Sequence, residues 1–119
     1  MAGKLTLTGD VNLMNVTDAA IPFRHVAAEL HTADVVFGNL ECCLHLPARR
    51  SHDAEGFFAD PQVGGEALGL AGFHAVGVAN NVNYGAVNLA ASLAVLDRVG
   101  ILHTGAGPNL AAARAPAIV

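Results

Sequence analysis

Three apolar runs in this 119-residue chain each stop on a cluster of oxygen-bearing side chains. Leu5-Thr6-Leu7-Thr8-Gly9 stops at Asp10. Val35-Val36-Phe37-Gly38 stops at Asn39, with Glu41 two residues on, and Ala75-Val76-Gly77-Val78-Ala79 stops at Asn80-Asn81. Short apolar runs read as buried parallel strands, and open α/β sheets bind ligands beyond the carboxyl ends of their strands. The runs are therefore expected to deliver Asp10, Asn39, Glu41, Asn80 and Asn81 to one rim. Carboxylate and amide oxygens are hard ligands of the kind a divalent metal such as Mg or Mn takes. Each residue also has a plainer role open to it. Asp10 can close an Asx-turn, Asn39 and Glu41 can be solvated loop residues, and Asn80-Asn81 can be turn formers that tolerate left-handed backbone angles.

The segments between the runs carry helix signals. Pro22 suits a first helical turn, and Phe23, Val26, Ala27 and Leu30 follow helical spacing, which predicts a helix over about 22 to 32. Asp60-Pro61 is an N-cap followed by a first-turn proline. The helix it opens runs to about Leu70, with Val63, Ala67, Leu68 and Ala71 inward and Ala71-Gly72 closing it. Leu89, Leu93 and Leu96 predict a helix over 86 to 99 that ends at Gly100. A short strand over 101 to 104 follows, and Asn109 caps a last turn through Arg114. Residues 42 to 57 read as a loop. Pro116-Ala117-Ile118-Val119 reads as the start of another buried strand, so the chain is expected to be one partial domain, truncated at its C-terminal end. Strands alternating with helices predict an α/β fold with parallel strands and right-handed crossovers.

Composition removes several function classes. Net charge is −4, and the six basic residues do not cluster beyond Arg49-Arg50, which argues against nucleic acid as a partner. No stretch approaches the roughly 20 apolar residues of a spanning helix, so no transmembrane segment is expected. No signal peptide is visible. That implies a cytoplasmic protein as written, or a start upstream of Met1. Cys42 and Cys43 are adjacent, and a vicinal disulfide is strained, so both are read as reduced thiols. His25, His31, His74 and His103 read as structural or solvated. His45 and His52 flank Arg49-Arg50 and offer a weaker phosphate or polyanion contact. Gly105-Ala106-Gly107 is like the start of a dinucleotide loop, but Leu110 stands at the third glycine position, which favours a plain turn.

Gly9-Asp10-Val11, Ala33-Asp34-Val35-Val36-Phe37-Gly38-Asn39-Leu40-Glu41, Ala71-Gly72-Phe73, Ala79-Asn80-Asn81, Tyr84-Gly85, Gly105-Ala106-Gly107, Asn109-Leu110-Ala111 and Ala115-Pro116-Ala117-Ile118-Val119 occur in that order. Together they resemble the bacterial capsule-synthesis CapA family, also called poly-γ-glutamate biosynthesis proteins. The resemblance implies a calcineurin-like metallophosphoesterase fold, an α-β-β-α sandwich, of which this chain would supply the N-terminal βαβαβαβ portion. It also implies a metal site at the strand ends holding Asp10, Asn39, Glu41, Asn80 and Asn81. An anionic polymer or phosphoester would be the substrate, with the capsule-synthesis machinery as partner.

The family's histidine after the paired asparagines falls at Val82, and Asn83 stands where it has an aspartate before Tyr84-Gly85. A second, histidine-rich metal motif would lie beyond Val119. Valine can neither donate a proton nor stabilise charge on a leaving oxygen. Three functions therefore stand side by side: a metallophosphoesterase-type protein of capsule synthesis, a non-catalytic fragment of one, and a nucleotide-binding module using Gly105 and Gly107. The fragment predicts a half-sandwich with one sheet face and one strand edge unpaired.

Overall fold

The computed structural model describes residues 2–48 and 57–119. Four strands, β1 (Leu5–Val11), β2 (Val35–Leu40), β3 (Ala75–Gly77) and β4 (Leu102–Thr104), alternate with α1 (Ala27–Leu30), α2 (Pro61–Ala71), α3 (Ala86–Val99) and α4 (Leu110–Ala113). All strand pairs are parallel and lie in the order β1-β2-β3-β4. The expected α/β class is thus what the chain adopts.

A strictly sequential strand order has a consequence for layering. Right-handed crossovers taken always in the same direction lay every connecting helix on one face of the sheet. Burial follows this division. On the helix side, Val36 is 1% exposed, and Leu40 and Val76 are 0%. On the opposite side, Leu5 is 60% and Leu7 67% exposed. The core between sheet and helices is built from Leu13, Leu40, Leu44, Leu68, Leu96 and their neighbours.

Local chemistry explains the two long helices. The Asp60 carboxylate accepts from the backbone N–H groups of Gln62 and Val63, each at 2.9 Å, and Pro61 needs no such partner. Gly72, at φ +81°, ends α2 in the left-handed conformation. Ala67, Leu68 and Ala71 are buried as expected, and Val63 is half-buried. A Cβ on Gly65 would stand 2.9 Å from Val95 Cγ1, so the bare backbone there is what lets α3 approach α2.

Two expected elements differ. The helix over 22 to 32 shrinks to the single turn of α1. Before it, Arg24 and Val26 bond back three residues to Ile21 and Phe23 in tight turns. These turns bring Phe23 down onto Phe73, edge to face with ring centroids 5.5 Å apart. Pro116–Val119 does not form a strand. Thr104 Oγ1 donates to the Ala115 carbonyl at 3.0 Å, which holds the tail beside β4. Pro116, Ala117 and Val119 then line an apolar groove of about 380 Å³ with Leu5, Leu7, Val35 and Phe37.

The ends of the expected loop are tied to each other: Cys43 N–H donates to the Phe57 carbonyl at 2.7 Å and Ala59 N–H to that of Cys43 at 2.9 Å. Of the two histidines named above as a phosphate contact, His45 is half-buried, and His52, like Arg49 and Arg50, lies outside the described residues.

Candidate functional site

The site begins with an irregularity in β1. Leu7 pairs with Phe37, but the next pair is Asp10 with Asn39, so Thr8 and Gly9 together face the single residue Gly38. This is a β-bulge, and it shifts the inward–outward phase of the strand by one residue. Without it, strict alternation would place Asp10 on the helix side with Thr6 and Thr8. With it, Asp10 shares the open face with Asn39, and Val11 turns inward beside Leu40, 6% exposed.

A continuous set of hydrogen bonds then joins three strand ends. Asn39 Nδ2 donates to Asp10 Oδ1 at 2.7 Å, and Asn80 Nδ2 donates to Asn39 Oδ1 at 3.1 Å and to the Leu40 carbonyl at 2.9 Å. Asn80 Oδ1 accepts from the backbone N–H groups of Val82 (3.2 Å) and Asn83 (3.1 Å). Of the five residues expected at the rim, the structure therefore joins Asp10, Asn39 and Asn80 directly. Glu41 follows at the end of β2, half-buried, its backbone N–H donating to the Val11 carbonyl at 2.8 Å. Asn81 is exposed in the loop after β3. Among the described residues, the side chains of Glu41 and Asn81 enter no hydrogen bond of their own.

Asn83 is the residue that pattern reading undervalued. It is 7% exposed, and its Nδ2 donates to the Leu40 carbonyl at 2.6 Å and the Val78 carbonyl at 3.2 Å. It thus staples the ends of β2 and β3 to the loop that carries Asn80. The sequence signals for it are the density of asparagine between Asn80 and Asn83 and its place before Tyr84-Gly85, where the resembled family has an aspartate.

The remaining polar candidates are accounted for by structure. His74 Nδ1 accepts from the Val36 N–H at 3.1 Å, His31 Nε2 lies 3.0 Å from the Leu70 carbonyl, and His103 pairs with Asp97 at 3.0 Å. A Cβ on Gly105 would meet Ala79 Cβ at 2.7 Å, and one on Gly107 would meet Ala112 Cβ at 2.7 Å, so close packing explains both glycines. Cys42 and Cys43 are buried free thiols. Burial pushes the Cys42 thiol up to about 11 and raises that of Cys43.

Among the described residues, no three His, Cys, Asp or Glu side chains gather closely enough to hold a metal ion by themselves. Of the expected donors, the Asp10 and Glu41 carboxylates and the Asn81 amide carry hard oxygens. Their chemistry fits a magnesium-like or manganese-like cation rather than a thiolate-loving or imidazole-loving one. Both ends of the Asn80 amide are already occupied.

A parallel α/β sheet with helices on one face and an Asp–Asn–Asn cluster at its carboxyl rim has the layout of the N-terminal part of a metallophosphoesterase-like fold. A protein-family model described as bacterial capsule synthesis protein PGA_cap matches residues 4–119, and the chain belongs to that family. A search of curated proteins finds no match to it. No helix among the described residues is long and apolar enough to cross a membrane.

Proposed function

We propose that this capsule synthesis protein holds a divalent cation at the strand-end rim, and that it acts there on an anionic polymer such as poly-γ-glutamate or on a phosphoester. The convergence of Asp10 of β1, Asn39 of β2 and Asn80 of the loop after β3 is the observation that carries this reading. Asp10, Glu41 and Asn81 would hold the cation, and Asn39 and Asn80 frame it. A cation bound there supplies Lewis acidity toward a phosphoryl or carboxyl oxygen. Val82 brings no proton donor to the position that the family resemblance gives to histidine, so the proposal is cation and anion binding, without an assigned acid catalyst. Metal analysis of the purified chain, with Mn²⁺ titration followed by electron paramagnetic resonance, tests it. Saturable Mn²⁺ binding that Asp10→Ala abolishes is expected. No binding, or equal binding by the variant, overturns it.

The open sheet face favours a second reading, in which the chain is one layer of a two-sheet sandwich without catalysis of its own. Leu5, Leu7, Val35 and Phe37 form an apolar surface of the kind a second sheet covers. Dye binding to exposed apolar surface together with concentration-dependent sedimentation is expected. A monomer with a cooperative melt and no dye binding counts against it.

A further inference from the structure

Amide side chains can face either way, but here the partners at both ends of the relay dictate the choice. Asn80 Oδ1 faces two backbone N–H groups, those of Val82 and Asn83, and Asn80 Nδ2 faces the Leu40 carbonyl. Turning Asn80 over would set donor against donor at one end and acceptor against acceptor at the other. The backbone therefore fixes Asn80. The same Nδ2 also reaches Asn39, so only Oδ1 of Asn39 can meet it. The nitrogen of Asn39 must then point at Asp10, where it donates at 2.7 Å. The polarity of two peptide N–H groups after β3 is relayed through two side chains to the end of β1.

We propose that Asn80 is a positioning residue that acts through Asn39. It locks the Asn39 amide with its nitrogen toward Asp10 and withholds the Asn39 oxygen from any cation bound there. Asp10 then meets a cation as a ligand already held by a donor, and Asn39 stays in the outer sphere. For Asn39 to coordinate through oxygen beside Asp10, its amide must turn over. That sacrifices its bonds to both Asp10 and Asn80. Two of the five rim residues are by this account a frame rather than ligands. The inference rests on the cation reading above, but its wiring is measurable without a cation.

The test uses the whole chain and the variants Asn80→Ser and Asp10→Asn. Serine can still accept from the N–H groups of Val82 and Asn83, but it is too short to reach Asn39. Asp10 is exposed, so its neutral isostere preserves the fold. By nuclear magnetic resonance, the wild-type Asn39 side-chain amide should give two widely split proton signals, one shifted downfield by the carboxylate. Asp10→Asn should remove that downfield shift, and Asn80→Ser should narrow the splitting, because Asn39 is then held by Asp10 alone. Mn²⁺ affinity in Asn80→Ser should hold or tighten by about two- to tenfold, the range of one net hydrogen bond. A ligand role for Asn80 requires the affinity to weaken instead, and that result overturns the proposal. So do Asn39 signals that neither variant changes. If the wild type binds no Mn²⁺, the cation reading falls and the resonance signals alone decide the lock. If Asn80→Ser does not fold, Asp10→Asn decides it.

Discussion

Asn83 Nδ2 and Asn80 Nδ2 both donate to the Leu40 carbonyl, at 2.6 and 2.9 Å, so one acceptor at the end of β2 fastens the whole loop after β3. Asn83 differs from Asn80 in its burial, and that difference makes it the more demanding position.

Asn83→Asp should destabilise the protein by about 1–3 kcal/mol, because a buried carboxylate would face two carbonyl oxygens with no proton to offer. Urea unfolding at neutral pH measures this. A variant as stable as the wild type would show that the staple contributes nothing.

Gly38 lies opposite the bulge, and a Cβ there would stand 2.5 Å from Thr8 Oγ1 and 2.8 Å from Phe73 Cε1. Gly38→Ala is expected to cost about 1–3 kcal/mol through overpacking. Gly9→Ala, with nothing within 4 Å of the added methyl, should change stability by no more than about 0.5 kcal/mol. Paired thermal melts check the contrast, which disappears if the bulge is not where Gly38 is crowded.

Removing Gly9 altogether should return β1 to strict alternation with Asp10 still opposite Asn39. The downfield Asn39 amide signal should survive in that deletion. Its loss would mean that the bulge sets the aim of Asp10 as well as its phase.

Alkaline pH should weaken the fold. Burial holds the folded Cys42 thiol at about 11, against 9.0 for an ordinary thiol. The unfolded chain therefore releases this proton first as pH rises. Stability is complete below pH 9 and is lost between pH 9 and 11, by roughly 2–3 kcal/mol at the upper end. Denaturation midpoints across that range, in wild type and Cys42→Ala, test the sign. The slope should flatten in the variant.

Asp60→Ala should cost α2 about 1 kcal/mol, since two N–H groups lose their acceptor. Asp60→Asn or Asp60→Ser should recover most of it, and circular dichroism melts decide the matter.

Much of this fold can be read from the chain because its signals are local. Asp60-Pro61 and Gly72 bracket α2, and the leucine spacing with Gly100 brackets α3 at residues 86 and 99. Asn109 caps α4, its side chain accepting from the Ala112 N–H at 2.9 Å. Where tertiary contacts decide, local spacing misleads. Phe23 has helical spacing with Val26 and Leu30, yet its packing on Phe73 is reached through turns.

The rim residues were visible as strand-end polar clusters, but their mutual wiring was not. The bulge leaves no mark, since Thr8 and Gly9 fit a strand as well as a bulge. Asn83 was hidden because the partners of its nitrogen are backbone carbonyls, and a carbonyl has no letter in a sequence.

The amide relay also sets an order of events. Asn39 meets Asp10 across 29 residues, and Asn80 meets Asn39 across 41. Pairing of β1 with β2 brings Asp10 and Asn39 together, and the carboxylate, an acceptor, already draws the Asn39 nitrogen toward itself. The other end of the amide is held only when the turn after β3 closes. The rim is thus complete only with that turn in place, and a chain lacking it would be nearly complete in shape yet hold Asn39 from one side alone.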